Sequence, residues 1–216
     1  MTDSKNIEKL TDEAVELLRE MVAIPSPSFH EDAVCSHISN WLTSKGVEHE
    51  RVGNNIIAEH IVDPSKPTLM LCAHIDTVDP CEGYTFDPYK PENCPTDMIQ
   101  GLGSNDDGAS VVSMIAVYRF FSHAIGSGAG VKNNPSHSFG AGPSPCGQGG
   151  STVFNTCTTT PNITLVLTCE EERSGKGGMT GLWDKRLSQI DYAIVGEPTG
   201  MKAATSERGL LVIDAT

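Results

Sequence analysis

The chain has 216 residues, with 28 acidic side chains against 15 basic ones and a formal net charge of −13 at pH 7. Apolar content of 38% and charged content of 20% are those of a folded domain, which excludes general disorder, and no apolar run approaches the ~20 residues of a membrane span. A chain this acidic, with no basic stripe, repels a phosphate backbone, so nucleic acid and membrane are excluded as partners while divalent cations are admitted.

The opening, MTDSKNIEKL, lacks the apolar core and small-residue cleavage site of a secretory signal. Cysteines at positions 35, 72, 81, 94, 146, 157 and 169 are irregularly spaced, with no C-x-x-C. Together these predict a cytoplasmic chain in a reducing compartment, without a disulfide framework.

From Thr11, the residues Ala14, Val15, Leu18, Met21 and Val22 recur at three- and four-residue steps, which predicts an amphipathic helix ended by Pro25. Ser28 and Glu31 have the spacing of a capping box ahead of Val34, His37, Ile38, Trp41 and Leu42, predicting a second helix that stops at Gly46. Asn55 to Val62 and Thr68 to Ala73 read as strands, the second covered on both faces. A Pro- and Gly-rich stretch follows, and Ala109 to Phe121 then has helical length and spacing. Ile163 to Cys169 and Tyr192 to Val195 predict two more buried strands, with a Gly-rich turn and a short helix around Trp183 between them. Alternating helices and apolar strands predict an α/β fold with a largely parallel, mixed sheet flanked by helices. Between Ala124 and Thr168 the only charge is Lys132, and eight of the 21 glycines fall between positions 126 and 150. Such a segment buries too little apolar surface to offset its ordering entropy, so about 126–160 is expected to be a flexible insertion without chemistry.

Reactive groups gather in four places, all at strand ends or in the loops after them, where an open α/β sheet collects its functional side chains. In LCAHIDTV, His74 and Asp76 follow an apolar strand, either as a satisfied strand-end histidine or as a metal ligand oriented by a carboxylate. In GLGSNDDGAS, Asp106 and Asp107 lie between glycines ahead of a helix, where they are helix-capping acids or share a cation that relieves their repulsion. In TCEEERSG, the acids Glu170, Glu171 and Glu172 emerge from a buried strand, a setting for a general base or for metal ligands rather than for a solvated surface. In VGEPTG, Glu197 is held between Gly196 and Pro198 after another strand. One imidazole with several carboxylates is an oxygen-rich donor set suited to a pair of zinc or similar ions.

Taken in order, LLREMVAIPSPS, NNIIAEH, LCAHIDTV, GLGSNDDGAS, LTCEEERSG, AIVGEPTG and ERGLLVIDAT resemble the co-catalytic-zinc amidohydrolase family of acetylornithine deacetylase, succinyl-diaminopimelate desuccinylase, aminoacylase and carboxypeptidase G. The resemblance covers nearly the whole chain outside the insertion. It implies that His74 and Glu197 bind one Zn2+, that Asp106 bridges to a second held by Glu172, with Co2+ or Mn2+ as substitutes, that Asp76 orients His74 and that Glu171 is the general base. Glu170 stands where the family usually has Asp, and Gly108-Ala109 replaces its frequent Lys after the aspartate pair. By the same resemblance, residues 1–205 are the N-terminal part of a catalytic domain, and 206–216 begin a lid and dimerisation domain at which the chain stops. The histidines that the family supplies from the lid and from late in its sequence then have no position here. The implied activity is hydrolysis of the amide in an N-acyl amino acid, acyl-ornithine first, as in arginine biosynthesis, with dimerisation dependent on the lid. A dipeptidase or carboxypeptidase of the same family, a non-catalytic metal- or partner-binding remnant, and a thiol protein using Cys72 and Cys169 are the alternatives.

Overall fold

The computed structural model describes residues 2–92, 94–126 and 161–205. The expected insertion, apart from Gly126, and the expected start of a lid at 206–216 lie outside the described residues. In chain order the elements are α1 (Thr2–Val22), α2 (Asp32–Ser44), β1 (Glu50–Val52), β2 (Asn55–His60), β3 (Thr68–His74), α3 (Gly108–Gly126), β4 (Asn162–Thr168), α4 (Met179–Leu182), a π-helical turn (Trp183–Leu187) and β5 (Tyr192–Val195).

The strands form one mixed sheet in the order β1-β2-β4-β3-β5. β3 is parallel to both β4 and β5, while β2 is antiparallel to β1 and β4. Period-two alternation sends the strand side chains to two separate cores. Ile56, Ala58, Leu71, Ala73, Leu165 and Leu167 face α1, α2 and α3, where they meet Leu17, Ile38, Leu42 and Ile115. Ile57, Met70, Cys72 and Val166 face the opposite way, toward Leu182 and Leu187. Helices therefore cover both faces, as the alternation of elements in the sequence predicts.

Two local expectations are corrected, and one strand carries no signal in the sequence. α1 begins nine residues earlier than its apolar repeat suggests, its first turns being exposed and held by helix propagation rather than by burial. The short strand β1 has no period-two signal of its own; it forms because Gly53, at φ +64, turns the chain back onto β2. β5 is exposed along its whole length instead of buried, with Tyr192 66% and Val195 58% accessible, because β3 is its sole strand neighbour among the described residues. Among the described residues no helix is long and apolar enough to cross a membrane.

The three large helices are joined by ion pairs as well as by apolar packing. Glu13 of α1 accepts from Lys45 at 2.9 Å and from Arg119 of α3 at 2.7 Å, and both cations lie over the Trp41 ring of α2. Burial alone raises the Glu13 pKa, but its bonds to Lys45 and Arg119 outweigh that and lower it. Arg119 is buried, so Glu13→Ala is expected to cost about 3 kcal/mol by leaving its guanidinium unpaired. Glu20→Ala, which removes only an exposed pair with His37, is expected to cost less than about 1 kcal/mol. Urea denaturation of the two variants checks the contrast.

Candidate metal centre

Parallel pairing places the ends of β3, β4 and β5 on one edge of the sheet. His74 is in register with Thr168, and the Ile75 N–H donates to the Thr168 carbonyl at 2.8 Å. Val195 is in register with Cys72, and the Gly196 N–H donates to the Cys72 carbonyl at 2.8 Å. A side chain at Gly196 would collide with Ser110, so the end of β5 passes close against the start of α3 only because that residue is glycine. The acids after β4, the glutamate after β5 and the aspartates before α3 are thereby delivered around His74.

His74, Asp106, Glu171, Glu172 and Glu197 come together there with Asp76 beside His74, whereas the Glu170 carboxylate turns away to accept the Gly177 N–H. Ligand atoms of His74, Glu171 and Glu197 lie within 4.8 Å of one another, and so do those of His74, Asp106 and Glu172. His74 is common to both groups. Its buried ring has Nε2 3.2 Å from Asp106 Oδ1 and 3.9 Å from Glu171 Oε2. Nδ1 lies 3.0 Å from the Asp76 carbonyl and 3.4 Å from Asp76 Oδ1, which leaves Nε2 turned toward the acids. Asp106 and Glu171 are half-exposed, so the cluster has a buried nitrogen floor and an accessible carboxylate rim.

Asp76 is buried beneath this cluster. Its carboxylate accepts from Ser28 Oγ at 2.7 Å and from the backbone N–H groups of Glu171 and Glu172, each at 3.1 Å. Burial raises its pKa, but these donors together with His74 overcome that and hold it below the ordinary value. Asp107, which the sequence marked only as Asp106's neighbour, is buried as well. Its Oδ2 accepts from the His74 N–H at 3.1 Å, and its Oδ1 is buried without a hydrogen-bond partner.

The capping box expected of Ser28 and Glu31 does not form. α2 begins at Asp32 with Glu31 at its N-cap and no side-chain cap bond. Ser28 goes to Asp76, and Glu31 accepts from the N–H groups of Phe29 and Glu170. A buried acceptor beyond β3, Asp76, takes the Ser28 hydroxyl, and backbone N–H donors at Phe29 and beyond β4 take the Glu31 carboxylate, so neither side chain caps the helix. The partners of Ser28 and Glu31 are not legible in the sequence, nor is that of Asn55, whose Oδ1 accepts the Cys169 N–H at 3.1 Å; a polar residue opening a buried strand is the available signal there.

Asp76 apart, the shifted groups of the cluster move in one direction. Burial depresses the His74 pKa, yet hydrogen bonding and charge from Asp76, with Asp107 and Glu171, reverse this and raise it to about 10. Burial pushes Asp107 up to about 6 and Glu197 up to about 7, with neighbouring carboxylates adding to the shift, and raises Glu172 in the same way. Each group is driven toward its more positive form, the demand that a divalent cation satisfies. One imidazole, several carboxylates and an orphaned buried carboxylate oxygen therefore fit a hard or borderline ion. The thiols do not take part: burial raises both Cys72 and Cys169 to about 12, which leaves them protonated and inert.

Several known proteins resemble this chain in sequence or in fold. The model of peptidase family M28 matches residues 55–138, the span holding β2, β3, His74, Asp76, Asp106 and α3. A probable carboxypeptidase of Emericella nidulans is 33% identical over 109 residues, covering 46% of this chain and 24% of that one. The cytosol non-specific dipeptidase of Escherichia coli is 30% identical over 115 residues, covering 47% and 23%. Among solved structures, a dinuclear metal binding peptidase of the M20 family from Bacillus subtilis superposes with a TM-score of 0.55 at 14% identity, over 87% of this chain and 43% of that one. The chain has the fold of part of a metallopeptidase catalytic domain. It spans about a quarter of the length of the two curated relatives.

The pKa shifts set a direction for stability with pH. His74, Asp107 and Glu197 all bind protons more tightly folded than unfolded, so each contributes stability that is full below its unfolded pKa and lost as pH rises through its folded one. In the presence of a chelator, the Tm of the chain is expected to fall from about pH 5 to about pH 10. Scanning calorimetry across that range checks it, and a flat or rising Tm contradicts it.

Proposed function

We propose that this chain is the metal-holding part of a hydrolase that cleaves the amide bond of an N-acyl amino acid. The observation that supports it is the meeting of ligand atoms from three strand ends and the loop before α3 in two groups that share His74. In this reading His74 and Glu197 hold one ion, Asp106 and Glu172 belong to a second, and Zn2+ is the first choice, with Co2+ or Mn2+ able to replace it. When bound, such ions polarise the scissile carbonyl and lower the pKa of water.

The chain's own groups have distinct tasks. Asp76 fixes the His74 ring through Nδ1 and so aims Nε2. Glu171, half-exposed and 3.9 Å from Nε2, is the general base, taking a proton from the attacking water and returning it to the departing amine. Buried Asp76 and Asp107 add fixed negative charge below the cluster and hold cations in place. Acyl-ornithine is favoured as substrate by the resemblance of the motifs to acetylornithine deacetylase. A second reading, hydrolysis of a short peptide, is favoured by the relatives named a carboxypeptidase and a dipeptidase.

Among the described residues, Asp106 and Glu172 offer the second ion little beyond shared His74, so the 216-residue chain is expected to bind one Zn2+ tightly and to turn over negligibly. Calorimetric titration checks this, and two equivalent tight sites would contradict it. In a form extended to the relatives' length, zinc-loaded, release of ornithine from N-acetyl- or N-succinylornithine supports the first substrate. Cleavage of a dipeptide alone shifts the assignment to the second, and silence toward both refutes the hydrolase reading.

A further inference from the structure

Four consecutive amides in the acidic turn after β4 are each received by a side chain from elsewhere in the chain. The N–H of Cys169 donates to Asn55 Oδ1, that of Glu170 to Glu31 Oε1, that of Glu171 to Asp76 Oδ1 and that of Glu172 to Asp76 Oδ2, all at 3.1 Å. Backbone amides in a turn ordinarily pair with backbone carbonyls or water, so three buried acceptors committed to one turn mark a conformation that the turn does not hold by itself. Asp76 is already part of the cluster around His74. Glu31 is not.

Glu31 is 1% exposed, and its Oε1 does two things. It accepts the N–H of Glu170 at 3.1 Å and that of Phe29 at 2.7 Å, while Oε2 accepts from Asn54 Nδ2 at 3.2 Å. Phe29 and Glu170 are two of the four non-glycine residues with positive φ among the described residues, at +73 and +59. A residue with a Cβ enters that region only when its surroundings hold it there. The same carboxylate oxygen thus pins both left-handed positions. From Glu170 the constraint passes along the chain to Glu171 and Glu172, and Glu170's own carboxylate closes the turn by accepting the Gly177 N–H at 2.8 Å. A Cβ at position 175 would collide with the Glu170 Cβ, so the turn closes this tightly only with glycine there.

We propose that Glu31 is a positioning residue of the cation site: by holding the backbone of Glu170 it aims Glu171 and Glu172 at His74, without touching an ion or a substrate. The inference rests on the reading of these acids as a cation site. Its mechanism is geometric. What matters is an oxygen at the end of a side chain of this length, and the charge is secondary.

Three variants separate position from charge and from bulk stability. Glu31→Gln keeps the length and an oxygen for the two amides. Glu31→Asp keeps the charge and withdraws the oxygen by one methylene, and Glu31→Ser removes the reach altogether. Asp and Ser are both favoured at a helix N-cap, so α2 keeps its start in either. The 216-residue chain and its variants are titrated with Co2+, followed by calorimetry and by the visible absorption of the bound ion. Amide hydrogen exchange of residues 169–172 is measured beside it with chelator present.

Glu31→Gln is expected to match the unsubstituted chain in affinity and spectrum. Glu31→Asp and Glu31→Ser are expected to bind about tenfold or more weakly, the usual consequence of loosening a group that orients a ligand, with a changed spectrum and faster exchange at 170–172. An Asp or Ser variant with unaltered affinity and spectrum overturns the proposal, since a purely structural role changes stability alone. A Gln variant as weak as the Asp variant also overturns it, by showing that charge decides. If the unsubstituted chain takes up no cobalt, the cation-site reading itself fails, and this proposal with it. If it binds and only the Glu31 variants are indifferent, the site stands and the positioning role alone is lost.

Discussion

The carboxylate of Asp76 is buried, and it ties together parts of the chain that are far apart in sequence. It meets the ring of His74 at the end of β3, the Ser28 hydroxyl from the loop between α1 and α2, and the backbone amides of Glu171 and Glu172 beyond β4. A buried carboxylate survives only with enough donors, and this one has enough to stay ionised more readily than in water. Moving any of those partners would leave the charge uncompensated. The positions of the imidazole and of the acidic turn are thereby coupled through one group, and the site inherits its geometry from that coupling rather than from contacts among the carboxylates themselves, which repel.

That repulsion is the second constraint. His74, Asp107, Glu172 and Glu197 are all shifted toward their more positive forms, and the parallel pairing of β3 with β4 and β5 prevents the acids from separating. A sheet edge that forces like charges together is costly unless a cation compensates them. The Bacillus subtilis structure that shares this fold is a dinuclear metal binding peptidase.

Much of this was legible in the sequence because the relevant signals are local. β3 and β4 are apolar runs buried on both faces, and a strand end followed by His-x-Asp or by three glutamates announces where a side chain will emerge. Five residues, His74, Asp76, Glu171, Glu172 and Glu197, could be placed at strand ends, and Asp106 ahead of a helix, from the sequence alone. What was hidden depends on competition between distant partners. Ser28 and Glu31 satisfy the local pattern of a helix cap, yet Asp76 beyond β3 claims the Ser28 hydroxyl and the Glu170 N–H beyond β4 claims the Glu31 carboxylate. β5 carries the composition of a core strand, and its exposure follows from its place at the sheet edge, which composition does not encode. β1 is three residues long and owes its existence to a turn at Gly53. In each case the sequence names the residue and the fold decides its partner.

The account stands on His74 and the surrounding carboxylates holding a common ion. X-ray absorption at the zinc edge of the zinc-loaded chain tests this most directly. The expected first shell contains oxygen and a single imidazole, without sulfur, and the imidazole signature disappears in His74→Ala. A sulfur shell, which would place the ion at the cysteines, or an imidazole signature unchanged in that variant, would contradict it.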